Sequence, residues 1–403
     1  MTQNLNTPVS YSENLERPLL NRNFILITLS SFVFFFNFHS FILLPIRIEE
    51  LGGSVSIIGF IMGMASMATI LTTPTVGILV DRWGKKWFLV AGGLVLSFTT
   101  IPFAFLDTLN FLFPVLRVFH GAALSLCFVS AGTLVADVSS PSKRSQAIGI
   151  FGMFSVINFA LAPLIGKQIV MSYGFKEFFI LDGIFGLLAF FIAILIKEPK
   201  RMALKGLKSS TFISVVFRRG VFITTVVMSV VGAGFVTVIT FIPVFAGRIG
   251  VESYELFFIT YTVSILAVRI FGGWIPDKFG KKRASVPALF LFSLSIIGLA
   301  FVSDWTGLVL AGIFFGLGHG LFYPALYALV IDLSPEIDRG KAVSICSVSF
   351  TFGGMVGVFT YGVVAQNWGF PLMFEITGAV CFIGFLIFAF LGIDSNSDTF
   401  EGE

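Results

Sequence analysis

Charge is scarce in this chain. Of its 403 residues only 12% are Asp, Glu, Lys or Arg, where a soluble domain carries about 25%, so an ordinary soluble class is excluded. Disorder is excluded from the other side: 51 residues are Phe, and disordered segments are poor in apolar and aromatic residues. Cysteine is nearly absent. Cys127, Cys346 and Cys381 all fall inside apolar runs, and an odd number of buried thiols gives neither a disulfide framework nor a metal spacing. They are expected to be small packing residues. No nucleophile–base pair and no metal cluster is visible, which argues against an enzyme and against a bound cofactor or metal. No P-loop or other nucleotide motif is present, so any driving force is expected from an ion gradient. The net charge of +4 is spread over many loops without a basic stripe, which leaves no signal for nucleic acid as a partner.

Apolar sequence is what the chain has in abundance: 56% of residues are hydrophobic and the mean hydropathy is +0.96. A bilayer-spanning helix takes about 20 residues, and runs of that kind recur with short polar breaks. Helices are predicted near 23–46, 54–80, 87–106, 110–136, 145–171 and 176–197, then near 220–245, 253–276, 284–303, 306–331, 341–366 and 370–393. Twelve such helices need roughly 240 to 300 positions, which leaves loops and short tails. The expected organisation is a tail at 1–22, a six-helix bundle at 23–197, a basic linker at 198–219, a second bundle at 220–393 and an acidic tail at 394–403. The first apolar run is too long for a secretory signal and lacks its A-x-A-like cleavage site, so it is expected to remain as the first transmembrane helix.

Most of the 26 Lys and Arg fall in the N-terminal tail, the linker and the loops after even-numbered helices, among them Arg82, Lys85, Lys86, Lys143 and Arg144. Arg47, Lys167, Lys176 and Arg248 fall on the other side, and Arg117 and Arg269 inside helices. By the positive-inside rule both termini and the linker are expected in the cytoplasm. The halves also repeat at an offset of about 195 residues. Gly77, Asp81, Arg82, Gly84, Lys85 and Lys86 match Gly273, Asp277, Lys278, Gly280, Lys281 and Lys282; Asp137, Arg144 and Ala147 match Asp332, Arg339 and Ala342. Pro45, Leu51 and Gly52 match Pro243, Ile249 and Gly250. A parallel repeat of two six-helix bundles suits alternating access around a site between them.

The segment Gly77–Lys86, duplicated at Gly273–Lys282, resembles the signature between helices 2 and 3 of the major facilitator superfamily, and the resemblance covers essentially the whole chain. It implies an all-α membrane protein of twelve helices in two pseudo-symmetric bundles, most like the drug/proton antiporter-related exporters. A glycine at position 77 would let a neighbouring helix approach closely. In the family the signature Asp faces the N-terminus of a helix from the other half. Carried over, Asp81 meets the start of the eleventh helix and Asp277 the start of the fifth, each contact contributing about 0.3–1 kcal/mol, up to about 2 when partly buried. The same basic residues also have a purely topogenic reading. Asp137 with Arg144, and Asp332 with Arg339, read as part of one cytoplasmic charge network, or as solvated pairs worth about 0–1 kcal/mol.

Arg117 to Ala123 on the fourth helix resembles the family's R-x-x-x-G element, whose Arg is implicated in proton transfer in proton-coupled members. An Arg inside a membrane helix is expensive and normally faces the protein interior or a wet cavity. It stays charged, so it acts by holding an anion or favouring a neighbouring carboxylate's charged form. His120 lies one turn along on the same face. Backbone carbonyls are the alternative partners for Arg117. Ala162, Pro163 and Gly166 look like an eroded G-P-x-x-G element of exporters, or simply a proline kink with close packing.

His39, His120 and His319 fall on helices that line the central cavity in the family, and Gly318 and Gly320 around His319 should permit close approach of another helix or a ligand. Neutral, hydrogen-bonded histidines and proton-coupling ones both fit. Asn37 and His39 sit on the first helix, which carries no acid, unlike many drug exporters of the family; that puts a cation-selective site in doubt. Arg269 either binds an anionic substrate or ties the eighth helix to a neighbour. Asp182 and Glu375 are the intramembrane acids, expected near the extracellular ends within reach of interfacial water. The many Phe residues of the first helix are expected mainly in core and lipid contacts.

The resulting expectation is a secondary active transporter of the cytoplasmic membrane, a monomer moving a small organic solute by proton-coupled efflux. A proton-coupled importer and a non-transporting receptor or scaffold of the same fold are the alternatives.

Overall fold

The computed structural model describes residues 18–198 and 211–394, with the side chains of Asp81 and Pro141 outside the description. The outer parts of both predicted tails, and linker residues 199–210, lie outside the described residues. Twelve helices of sixteen residues or more run through the rest. They are α1 Arg22–Ser40, α2 Val55–Trp83, α3 Lys85–Thr100, α4 Leu112–Val138, α5 Arg144–Tyr173 and α6 Phe175–Ile194. Then follow α7 Arg219–Arg248, α8 Glu255–Phe271, α9 Lys281–Leu299, α10 Trp305–Asp332, α11 Arg339–Trp368 and α12 Phe370–Leu391. Eleven of these segments are long and apolar enough to cross a membrane. The remaining one, α8, has 17 residues instead of the predicted run to 276, because the chain turns at Gly272–Trp274 and restarts as the short helix Ile275–Phe279 with Pro276 in its first turn.

Local chemistry sets the helix ends. Asn21 caps α1 by accepting from Phe24 N–H at 3.0 Å, Ser54 caps α2, and Asp304 caps α10 at 2.8 Å from Gly307 N–H, each satisfying an orphan donor. The first span outruns its predicted end: after a 3₁₀ turn at Phe41–Leu43 it resumes as Leu44–Glu50, with Pro45 in the first turn, where a missing N–H costs nothing. The predicted linker is partly helical, since Thr211 caps a short helix Phe212–Val216.

All six positive-φ residues among those described are glycines, and they form three repeat-related pairs: Gly52 with Gly250, Gly84 with Gly280, and Gly174 with Gly369. Gly84 and Gly280, at φ +107° and +95°, end one helix and start the next with no intervening residue, a conformation that other L-residues resist.

Packing repeats as well. In the first half α1 lies against α5 and α6, α4 against α2 and α3, and α3 against α6. In the second half α7 lies against α11 and α12, α10 against α8 and α9, and α9 against α12. Glycines allow the tightest crossings. A Cβ at Gly121 of α4 would sit 2.0 Å from Ala65 O of α2, and one at Gly316 of α10 would sit 2.5 Å from Tyr261 O of α8. The halves meet mainly along α2–α11 and α5–α8. The three cysteines are buried and free.

Candidate functional site between the halves

The end of the molecule that carries the linker holds the duplicated motif. Lys85 Nζ pairs with Asp137, and Lys281 Nζ pairs with Asp332, its counterpart in the second half. The aspartates therefore do not pair with Arg144 and Arg339: Arg144 Nε donates to Ala136 O at 3.1 Å, and Arg339 is exposed. Glu198 accepts from the N–H groups of Lys85 at 2.8 Å and Lys86 at 3.2 Å, a negative charge on the N-terminus of α3. Lys282 Nζ donates to Gly392 O at 2.7 Å, while Lys278 lies over the Trp274 and Phe279 rings and Arg82 is exposed.

Two expectations for this end are corrected. Gly77 permits no close helix approach, since a Cβ there would meet nothing within 4 Å, and Gly273 meets only Arg269 O of its own chain segment. Asp277 does not reach the start of α5: the turn after α8 carries it to the exposed surface, where it has no hydrogen bond or ion pair among the described residues. The Asp81 side chain lies outside the described residues.

At the opposite end the halves are fastened together. Lys167 on α5 pairs with Glu255 on α8 at 2.9 Å and donates to Glu252 O at 2.7 Å. Both of these side chains are only 12–13% exposed. Arg248 at the end of α7 pairs with Glu49 at 3.0 Å. The side chain of Gln366 on α11 accepts from Val55 N–H of α2 at 2.8 Å, and a Cβ on Gly59 would lie 2.4 Å from Val358 O. Sequence reasoning placed Lys167 and Arg248 at this end without assigning them a role. The partners of Lys167 lie 85 and 88 residues away, so the available signal was their rarity on the charge-poor side.

Inside the first half, Arg117 is 4% exposed and its Nη1 donates to His120 Nδ1 at 2.6 Å. A guanidinium only donates, so the ring nitrogen accepts and the imidazole proton sits on Nε2. The Phe41 ring lies 5.3 Å from the guanidinium carbon, and Phe38 and Phe41 pack edge-on to His120. Asn37 is fully buried, donating to Asp182 O at 2.5 Å and accepting from Thr100 at 3.2 Å. Asp182 is 2% exposed, not within reach of interfacial water, because α6 packs on α1 and α3 at that level; Glu375 on α12 is exposed. Ala162, Pro163 and Gly166 are buried, with Gly166 making room for the Phe178 ring of α6. His39 donates from Nδ1 to Phe35 O at 2.8 Å and packs on Phe159 of α5.

The second half presents an aromatic wall. His319 on α10 is stacked on Phe235 of α7 at 4.7 Å and lies 5.0 Å from Tyr323, with Nδ1 3.1 Å from the Tyr261 hydroxyl. Gly318 and Gly320 bring α9 and α8 close to this turn. A hydroxyl row continues from Tyr323 to Tyr327 at 3.3 Å and Ser347 at 2.8 Å. Phe159 reaches across from the first half, edge-on to Phe235 and Tyr261. Arg269 follows Val268, which packs on Gly320 beside His319. Its Nη1 is 3.5 Å from the place a Cβ on Gly152 of α5 would take.

A family model described as the Major Facilitator Superfamily matches residues 25–301 and 249–401. A multi-drug resistance efflux pump, PmrA of Streptococcus pneumoniae, is 26% identical over 353 residues, which cover 83% of this chain and 86% of that protein. An uncharacterized MFS-type transporter of Methanocaldococcus jannaschii is 24% identical over 349 residues, covering 83% and 88%. The crystal structure of a D-xylose-proton symporter superposes with a TM-score of 0.78 over 93% of this chain and 98% of that one. At 16% identity that likeness is one of fold.

Proposed function

The chain belongs to the major facilitator superfamily, and from that premise we propose that it is a twelve-helix secondary active transporter of the cytoplasmic membrane. It exports a small organic solute in exchange for protons, with both termini and the linker in the cytoplasm. The membrane context and the transporter class follow from the family and its multi-pass helices; direction, coupling ion and orientation are the proposal's own.

One observation carries the reading. Among the described residues, polar fastenings across the halves, Lys167–Glu255, Arg248–Glu49 and Gln366–Val55, lie at the end away from the linker. Both Lys–Asp pairs of the duplicated motif stay within their own half. A polar closure across the halves at one end supports a reading of two bundles that rock about a shared site, as alternating access requires. Arg117 with His120 supplies a fixed charge beside an ionisable ring in the first half, which suits proton coupling. Export is favoured by the likeness to an efflux pump.

The test is flux in proteoliposomes with an imposed pH gradient, using naphthalene-2-carboxylate, its carboxamide and naphthalen-2-ylmethylammonium as solutes and pyranine as the internal pH probe. Solute-dependent proton movement by at least one of the three supports the reading. Saturable binding with no gradient-driven flux of any of them would point to a receptor instead.

A further inference from the structure

The interior helices differ in one respect from the outer ones. Five helices, α2, α5, α7, α8 and α11, make the contacts between the halves together with the Phe41–Glu50 continuation of α1, and α4 and α10 cross over α2 and α8, which makes eight in all. None of the eight carries an Asp or Glu away from its ends. The two intramembrane acids, Asp182 and Glu375, are on α6 and α12. All three histidines lie on the eight, as do Arg117 near the middle of the inner set and Arg269 in the last turn of α8.

The two arginines are not equivalent. Arg117 is sealed at 4% exposure and spends a donor on His120. Arg269 is only partly buried and has no hydrogen bond or ion pair among the described residues. None of its nitrogens is closed off in the manner of Arg117 Nε, which is buried without a partner. Among the described residues its guanidinium alone lies within 4 Å of where a Gly152 side chain would begin, so it spans the space between α8 and α5. An arginine that is neither paired nor sealed keeps its five donors available for a ligand. The preceding residue, Val268, packs on Gly320 of α10, next to His319; around that turn stand the rings of Phe235, His319, Tyr323 and Phe350, with 4.7–5.5 Å between neighbouring centroids, and Phe159 of the other half closes on them at 5.9 Å from Phe235.

We propose that Arg269 and this aromatic wall form the substrate site, and that its cargo is an aromatic organic anion. The carboxylate or equivalent oxyanion is held by the guanidinium, in the two-oxygen geometry that a planar fork favours. Phe159 and Phe235 touch edge-on at 5.9 Å in this state; when the halves part, the ring system takes the place of that contact, so that both halves touch one ligand. The Tyr323–Tyr327–Ser347 row offers hydroxyls to polar substituents. A cationic aromatic is disfavoured because no acid in the inner shell offsets it. This assignment of the cargo rests on the transporter reading.

Equilibrium binding to the purified full chain in nanodiscs tests it with the matched probes naphthalene-2-carboxylate, naphthalene-2-carboxamide and naphthalen-2-ylmethylammonium. The carboxylate is expected to bind more tightly than the amide by on the order of ten-fold, since a charge-assisted pair is about twice as strong as a neutral one. Arg269→Gln should bring that ratio to within about two-fold, and Arg269→Lys should keep part of it. Phe159→Ala should weaken the carboxylate and the amide in equal proportion. Size-exclusion profile and melting temperature report on folding; should Arg269→Gln fail to fold, the ratio in Arg269→Lys decides. Equal affinities in the wild type, no saturable carboxylate binding, or a ratio unmoved by both substitutions overturns the proposal. Selective carboxylate binding without any gradient-driven flux overturns the transporter reading and leaves the anion site standing. Gradient-driven flux of the ammonium or amide without carboxylate preference does the reverse.

Discussion

The two halves share a frame and differ in what the frame holds. Where the first half crosses α4 over α2 at Gly121 and Ala65, the second crosses α10 over α8 at Gly316 and Tyr261, the positions that the repeat pairs with them. The polar contents follow no such pairing. The repeat sets Gly312 opposite Arg117, Phe315 opposite His120, Phe235 opposite Asn37 and Thr73 opposite Arg269. The first half buries a polar network, Asn37 with Thr100 and Asp182; the second puts Phe235, Ile296 and Thr377 at the paired positions. Even the two junctions between halves diverge. Lys167–Glu255 joins α5 to α8, and the repeat places Gly362 and Gly59, which touch directly, at the α11–α2 junction. Duplication preserves what the backbone needs, and function accumulates where the copies disagree.

The largest effect should come from the sharpest disagreement. Arg117→Ala removes the buried guanidinium of the first half and leaves His120 Nδ1 without its donor. Proton-coupled flux in proteoliposomes should fall by at least ~100-fold, about 2.7 kcal/mol, while the size-exclusion profile stays that of the wild type. Unchanged coupled flux would remove Arg117 from the mechanism. It would also make the polar contents of the two halves equivalent in effect.

Next come the shared crossings. Gly121→Ala and Gly316→Ala each drive a methyl into a backbone carbonyl of the neighbouring helix, and each should cost about 1–3 kcal/mol through overpacking. Gly77→Ala enters open space and should be neutral or stabilising by up to about 1 kcal/mol, from helix propensity alone. Melting temperatures in one detergent rank the three. A silent Gly316→Ala beside a damaging Gly121→Ala would mean that the frame is not shared after all.

The frame was also the legible part. Apolar runs separated by polar breaks locate helices because the bilayer sets their length, and positive-φ glycines such as Gly84 and Gly280 must recur if the turns recur. Arg117 with His120 was readable because a spacing of three residues puts both on one helix face. Gly77 misled because a glycine in a helix shows that room is possible, not that a neighbour fills it. Asp182 misled because depth along a helix is visible in the sequence, but rotation toward α1 and α3 is not. The Lys85–Asp137 and Tyr261–His319 pairs span 52 and 58 residues, and only the packing of α3 on α4 and α8 on α10 brings them together.

The two junctions give a smaller effect. A largely buried pair such as Lys167–Glu255 should hold the end away from the linker shut by about 1 kcal/mol, roughly a five-fold shift in population. Lys167→Ala should therefore raise the labelling rate of a Phe159→Cys reporter, by a membrane-impermeant maleimide applied from that side, by about five-fold. The native cysteines are buried and give a low background. Exchanging the charges, Lys167→Glu with Glu255→Lys, should restore the slow rate. A rate indifferent to the pair would leave the Gly59–Gly362 contact and the Arg248–Glu49 pair as the closure.

The smallest expected effect lies at the start of α3 and α9. Glu198 follows the last helix of the first half and accepts two N–H groups of α3; Asp394 follows the last helix of the second half, and one of its carboxylate oxygens lies 2.8 Å from where a Cβ on Gly280 would be, beside the start of α9. Both are acids at helix N-termini, where a negative charge contributes about 0.3–1 kcal/mol. Glu198→Ala should lower the melting temperature by an amount in that range, and Glu198→Gln by less, because the amide oxygen still accepts. Asp394→Ala, the matching change beside the start of α9, should also lower it. If the two alanine variants cost the same, the acid acts through the charge at the helix end in both halves; if only Glu198 matters, the hydrogen bonds do the work, and the copies differ here too.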